Sequence, residues 1–479
     1  VPKKVYAPGL VVLLSTICLT SIASAQTSWW RTYGGPSGDA GCSVQQTTDS
    51  GYVITGYTFS FGSGIPAYNN VYLIKTNASG ETLWTRTYGG TDYDGGSSVR
   101  QTSDGGYIIA GHTNSFGCVN HDVYLIKTKA SGETLWTRTY GGTGADYGES
   151  VQQTADGYIV AGFTSSFGAG NSSVYLIKTD SLGDTLWTKT YGGEDDEFGH
   201  SIQQTSDGGY IIAGHTGPSG SGDRDVYLVK TTALGETLWT RTYGGADDDE
   251  GNSVRQTSDG GYVVTGVTYP FETGIGDIYL IKTNAQGDTL WTKTYGGTDD
   301  DVGNSVGQTA DSGFIIAGYT GPFGMGNQDV YLIKTNAQGD TLWTKTYGGT
   351  DSDAGYAVQQ VNDGGYVIAG TTYSFGAGYC DVYLIKTDAN GNVGIEEPLT
   401  KQPARHTRFL VQPNPFTSFA RVPGHETELF TLSDVTGRQV AVCKGDRVGE
   451  GLRPGVYFLS PVGLRAGTAA TATIVKVAF

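Results

Sequence analysis

The chain has 479 residues, with 75 glycines, 31 tyrosines and one methionine, and its formal charge is −17. Such a composition, without any long stretch of helical periodicity, excludes a helical bundle, and the excess of carboxylates excludes nucleic acid as a partner because it repels phosphate backbones. The imbalance is concentrated in residues 26–400, which carry −24 once Lys3, Lys4 and the net +5 of residues 401–479 are set apart from the total. Five cysteines without a recurring spacing suggest neither a disulfide framework nor a zinc site.

The first element in chain order is an export signal, residues 1–25. Lys3 and Lys4 precede an apolar run from Leu10 to Ile22, and Ala23-Ser24-Ala25 supplies small residues for cleavage after Ala25. That run is short for a membrane span, and no later stretch approaches the roughly 20 apolar residues that a spanning helix needs.

Residues 26–393 repeat. Tryptophan recurs at Trp30, Trp84, Trp136, Trp187, Trp239, Trp291 and Trp343, at intervals of 54, 52, 51, 52, 52 and 52 residues. In the second unit, Ser98 to Thr102, Tyr107 to Thr113, Asp122 to Thr128 and Glu133 to Tyr140 read as four strands, separated by turns such as Asp104-Gly105-Gly106. Four strands per unit is one propeller blade. The last unit stops after Val382 to Thr387 and lacks its fourth strand, whereas the segment from Trp29 to Gly35 is a fourth strand without the other three. The expected fold is therefore all-β: a seven-bladed propeller closed by the N-terminal strand. Phrases such as Asp104-Gly105-Gly106-Tyr107-Ile108-Ile109-Ala110-Gly111 resemble the β-propeller repeats of bacterial secreted surface proteins. The recurring glutamines from Gln46 to Gln360 are expected to bond backbone between blades, and the tryptophans and their paired tyrosines to pack there.

Two loop families share one face of this ring. The acidic family pairs carboxylates in Asp-x-Asp patterns, and Asp92, Asp94, Asp247, Asp249, Asp299, Asp301, Asp351 and Asp353 are candidate calcium ligands. The competing expectation is that the aspartate five residues before each first-strand valine caps its own turn. The aromatic family contributes Tyr57, His112, Phe163, His215, Tyr269, Tyr319 and Tyr373 as candidate ligand-binding residues, since rings beside carboxylates suit sugars or an anchored peptide. No catalytic constellation stands out, and no cofactor is expected beyond the candidate calcium. The Ala-x-Gly-x-x-Leu-Trp phrase resembles a turn of quinone-cofactor propellers, but the vicinal cysteine pair of that family is absent.

After a linker at 394–408 the composition turns basic. Residues 409–479 read as a small Ig-like β-sandwich. Pro413-Asn414-Pro415-Phe416, the run from Leu432 to Val440, the run from Leu452 to Leu459 and the closing Ile474-Val475-Lys476-Val477 resemble the C-terminal sorting domain of type IX secretion. The resemblance implies that the type IX machinery is a partner and that the chain passes through the periplasm to be secreted or held at the outer cell surface. The expected function is an exported, monomeric surface binding or adhesion module for a glycan or protein. The alternative is an exported propeller enzyme that acts on a polysaccharide or uses a quinone cofactor.

Overall fold

The computed structural model describes residues 28–62, 68–116, 120–217, 224–246, 248–270, 274–321 and 328–394, together with short segments between 419 and 476. Ala25, Asp247 and Pro413 to Phe416 lie outside the described residues. The chain divides into two compact units, 1–395 and 396–479. In the first, the strands form seven four-stranded antiparallel sheets, and six of these take their strands in chain order. This is a seven-bladed β-propeller. Blade 1 is built from Asp39–Gln46, Tyr52–Thr58, Asn70–Thr76 and Thr82–Tyr88, and blade 2 from Asp94–Gln101, Tyr107–Thr113, Asp122–Thr128 and Thr134–Tyr140. Blades 3 to 6 follow with the same plan.

The core lies between blades. One cluster joins Val53, Leu73 and Tyr88 of blade 1 to Val99, Tyr107 and Ile109 of blade 2, and each such side chain contributes about 1.5–3 kcal/mol by leaving water. Polar latches repeat around the ring. The Tyr88 hydroxyl donates to the Gly132 carbonyl of the next blade at 2.6 Å, and the Trp84 ring meets Tyr107 edge-on at 5.9 Å. Gly132 has φ of 78°, and a Cβ there would lie 2.8 Å from the Trp84 ring, so the turn has both a conformational and a steric need for glycine. The glutamines bond across blades as their recurrence suggests. Gln101 Oε1 accepts from Thr48 N–H at 2.9 Å, and Gln46 Oε1 accepts from Asn362 N–H at 3.1 Å, joining blade 1 to blade 7.

Blade 7 comprises Asp353–Gln360, Tyr366–Thr372, Asp381–Thr387 and, as its outer strand, Trp29–Tyr33. One detail differs from the sequence reading. Trp29 pairs with Lys386 as Trp84 pairs with Lys75, and Tyr33 pairs with Val382 as Tyr88 pairs with Val71. The repeat tryptophan of this strand is therefore Trp29, not Trp30. Register is set by the Tyr33 hydroxyl, which must reach Gly80 O at 2.6 Å, and Trp30 packs instead on Phe375 and Tyr383.

Within the second unit, Gln439–Lys444, Leu429–Ser433, Gly455–Pro461 and Ala472–Lys476 form one antiparallel sheet in that order. Phe430, Leu432, Val448 and Leu459 form its buried core. Among the described residues, no helix is long and apolar enough to cross a membrane.

Candidate functional site

Every first strand is interrupted at the same place. Pairing slips by one residue between Gly41 and Ser43 in blade 1, and at the matching point in the other six blades. Such a bulge re-aims one side chain. The bulged residues are Cys42, Ser97, Glu149, His200, Asn252, Asn304 and Tyr356, and all seven line one compartment of the central channel, about 360 Å³ in volume. The scaffold fixes their neighbours. Ser43, Ser98, Ser201, Ser253 and Ser305 each accept the backbone N–H of a valine in the next blade, at 3.2–3.3 Å. The residue between glycine and serine is thus held in place by its flanks and carries no ladder duty of its own.

Three residues further along the strand lies a second ring: Gln45, Arg100, Gln152, Gln203, Arg255, Gly307 and Gln359. These border an adjoining compartment of about 640 Å³, and Arg100 and Arg255 border both.

Electrostatics in the first compartment favour neutral forms. Burial lifts the Glu149 carboxyl above its ordinary range against the hydrogen bond from Ser97, and burial followed by the Glu149 charge pushes the Cys42 thiol up to about 12. Burial and then His215 depress His200 to about 4, with Glu250 opposing. His215 is likewise lowered to about 4, by burial and then Arg224, with Asp248 opposing. His200 Nε2 and His215 Nδ1 are 3.1 Å apart, a separation that two neutral rings in the same tautomer fill with one hydrogen bond.

The aromatic candidates fall into separate groups. His112 packs on Tyr147 at 4.9 Å, Tyr147 stacks on Phe163 at 4.8 Å, Phe163 meets Phe198 edge-on at 4.8 Å, and Phe198 stacks on His215 at 4.8 Å. These rings make an unbroken run across blades 2 to 4 and end on the bulged His200. Tyr57 lines the first compartment. Tyr269 lies in blade 5, where burial and then Tyr319 of blade 6 push its hydroxyl up to about 12, and Tyr373 meets Tyr379 edge-on at 5.2 Å in blade 7. The sequence reading missed Tyr147, Phe198, Glu149, His200 and both arginines. The signal for the bulged pair was present: one position between an unchanging glycine and a nearly unchanging serine differs from unit to unit.

In the acidic family, the aspartate five before the valine accepts hydrogen bonds from its own turn. Asp94 Oδ2 accepts from Gly90 N–H at 2.8 Å and from the Ser115 hydroxyl at 2.6 Å. Asp301 accepts from Gly297 N–H at 3.0 Å, and Asp353 from Gly349 N–H at 2.9 Å. Asp249 is buried at the corresponding place, whereas Asp299 and Asp351 are exposed and Asp92 is half-buried. Among the described residues, no three His, Cys, Asp or Glu side chains are grouped as a metal site.

No family model matches the chain. The regulatory protein FlaEY of Caulobacter vibrioides is 23% identical over 276 residues, covering 52% of this chain and 27% of that protein. The chain thus spans about a quarter of that relative's length. Among solved structures, PorZ, an essential surface component of the type IX secretion system of Porphyromonas gingivalis, has a TM-score of 0.40 at 10% identity, over 86% of this chain and 65% of its own. A complex of a puromycin hydrolase mutant has a TM-score of 0.48 at 13% identity, over 88% of this chain and 58% of its own. A 6-phosphogluconolactonase homologue from Bacteroides fragilis has a TM-score of 0.45 at 13% identity, over 73% and 95%. None of these three structures reaches a TM-score of 0.5.

Proposed function

We propose that the chain is a binding module displayed at the cell surface, with the first channel compartment and the adjoining run of rings as its ligand-facing surface. The observation that carries this reading is the bulge position. Six kinds of side chain occupy seven equivalent places in a scaffold that otherwise repeats nearly word for word, and all seven are turned into one cavity. Ring faces from Tyr147 and Phe198 suit the apolar faces of sugars or an anchoring side chain, while Ser97, Asn252 and Asn304 offer directional hydrogen bonds. The ligand class that fits best is a glycan or a protein loop.

The test is full-length protein on glycan and peptide arrays, beside Tyr147→Ala and Phe198→Ala variants. A ligand class retained by the parent and weakened at least about tenfold by either variant is expected, since losing one ring contact costs about 0.5–1.5 kcal/mol beyond its buried area. Equal retention by both variants would move the ligand elsewhere. Surface delivery is supported by the resemblance of residues 409–479 to a type IX sorting domain. Deleting that segment should leave the protein in the periplasm, and surface delivery of the truncated chain would overturn this part.

A further inference from the structure

The second ring of the channel breaks its own rule at two places. In blades 1, 3, 4 and 7 the ring residue is glutamine, and its Oε1 accepts a backbone N–H from the next blade: Gln45 from Gln101, Gln152 from Gln204, Gln203 from Gln256 and Gln359 from Gln46, at 2.6–2.8 Å. Arginine has no acceptor, so Arg100 in blade 2 and Arg255 in blade 5 forgo that bond. Each Nη1 instead donates to the carbonyl of the preceding valine, Val99 or Val254, at 2.8 Å. No carboxylate forms an ion pair with either arginine among the described residues.

The two cations also burden each other. Burial and then the charge of Arg255 lower Arg100 to about 10, and burial lowers Arg255. The compartment of about 640 Å³ that they border has no aspartate or glutamate in its lining, although residues 26–400 carry −24 overall. Gly307 occupies the ring position next to Arg255 and leaves open space, because a Cβ there would meet only Ile315 at 3.5 Å. Two guanidiniums without an ion-pair partner, three blades apart on a seven-bladed ring, face this carboxylate-free compartment on one side and on the other border the compartment of Glu149, whose carboxyl burial favours in its neutral form; they are costly without an anion and matched to one with it.

We propose that the channel binds a small dianion, bearing carboxylate or phosphate oxygens, between Arg100 and Arg255. This site does not depend on the glycan or protein reading of the first compartment.

The test follows the melting temperature of the full chain in low-salt buffer during titration with inorganic phosphate, succinate or glutarate, against acetate and chloride at matched ionic strength. A saturable rise with a dianion, absent with chloride and acetate, is expected, and the phosphate and dicarboxylate arms identify the head group. Arg100→Gln and Arg255→Gln restore the residue found in four other blades. Each single change should weaken binding about tenfold or more, as loss of a charged hydrogen-bonding partner does. The double variant should lose the response and melt above the unliganded parent. Three outcomes would overturn the proposal: a response matched by chloride, a response retained in the double variant, or a double variant that melts below a parent unresponsive to all three dianions. Because Arg100 and Arg255 border both compartments, the two sites are separated with Tyr147→Ala and Phe198→Ala, whose rings line neither compartment and whose loss should leave the dianion response intact.

Discussion

Gly348 lies beneath two carboxylates: a Cβ there would come within 1.9 Å of Asp329 Oδ1 and 2.6 Å of Asp353 Oδ2. This crowding accounts for the first glycine of each Tyr-Gly-Gly phrase, which recurrence alone could flag but not explain. Burial and then their mutual repulsion hold Asp329 above the usual carboxylate range, and burial does the same to Asp353 against several hydrogen bonds. Between blades 1 and 2 the pair is Asn70 with Asp94, which shows that an amide fits. Asp329→Asn is therefore expected to raise the melting midpoint at pH 7, by an amount worth about 0.5–1 kcal/mol, and to change nothing at pH 3, where the pair is already protonated. Melts of the parent in calcium and in chelator are expected to coincide. A calcium-dependent rise that Asp329→Asn removes would place the cation between these carboxylates. The imidazoles give a second pH signature. His200 and His215 titrate near 4 in the folded ring and about 6.5 when unfolded, so the unfolded chain takes up protons first. Their contribution is complete above pH 6.5 and is lost as pH falls toward 4. His200→Asn with His215→Phe should flatten the dependence of stability on pH between 7 and 5, measured by denaturant titration. His215 stood among the candidate ligand-binding residues of the sequence, whereas His200 was not legible there, because a side chain that differs between repeats looks like drift until the bulge turns it into the channel.

Strands and their tight turns were legible, since alternation marks the former and Asp-Gly-Gly the latter. Less visible was a latch tying the first hairpin of each blade to its third strand. Lys127 Nζ, on a side chain only 4% exposed, lies 2.9 Å from Asp104 and also donates to the Thr128 carbonyl, and the same pairing occurs in all seven blades. Partial burial raises Asp104, but hydrogen bonds from Thr102, Lys127 and Gly106 N–H outweigh it and bring the carboxyl down to about 2. With an unfolded value near 3.9, the latch contributes fully above about pH 4 and is lost as pH falls toward 2. Four such carboxyls brought down to about 2, those of Asp104, Asp207, Asp259 and Asp311, should together steepen acid unfolding in that window, as followed by circular dichroism. Asp104→Ala strands a buried ammonium, whereas Lys127→Met removes it, so the first should destabilise more, by about 1–2 kcal/mol given that the carboxylate faces solvent. The bulge escaped the same sequence reading because Gly-x-Ser interrupts alternation without announcing an extra residue.

At the scale of the propeller, closure could be counted from sequence: seven first strands, seven tryptophan strands, and a mismatch of phase at the ends. Register could have been counted too, and the sequence reading missed it: Trp84 and Trp136 stand four residues before Tyr88 and Tyr140, as Trp29 and not Trp30 stands before Tyr33, in agreement with the pairing to Val382 and the reach to Gly80. The sorting-domain motif at Pro413 to Phe416 lies outside the described residues. Removing residues 28–33 bares the edge of Asp381–Thr387, and the truncated protein is expected to self-associate, seen as concentration-dependent light scattering absent from the parent. The same pairing also orders events in time. Tyr33 meets Val382 across about 350 residues, a loop whose closure costs roughly 5 kcal/mol in chain entropy. Blades 1 to 6 can assemble from neighbouring sequence as it becomes available, but the seventh waits for both ends of the repeat region at once. The propeller therefore passes through a stage as an open arc, and its own most N-terminal strand, Trp29–Tyr33, is among the last to find its place.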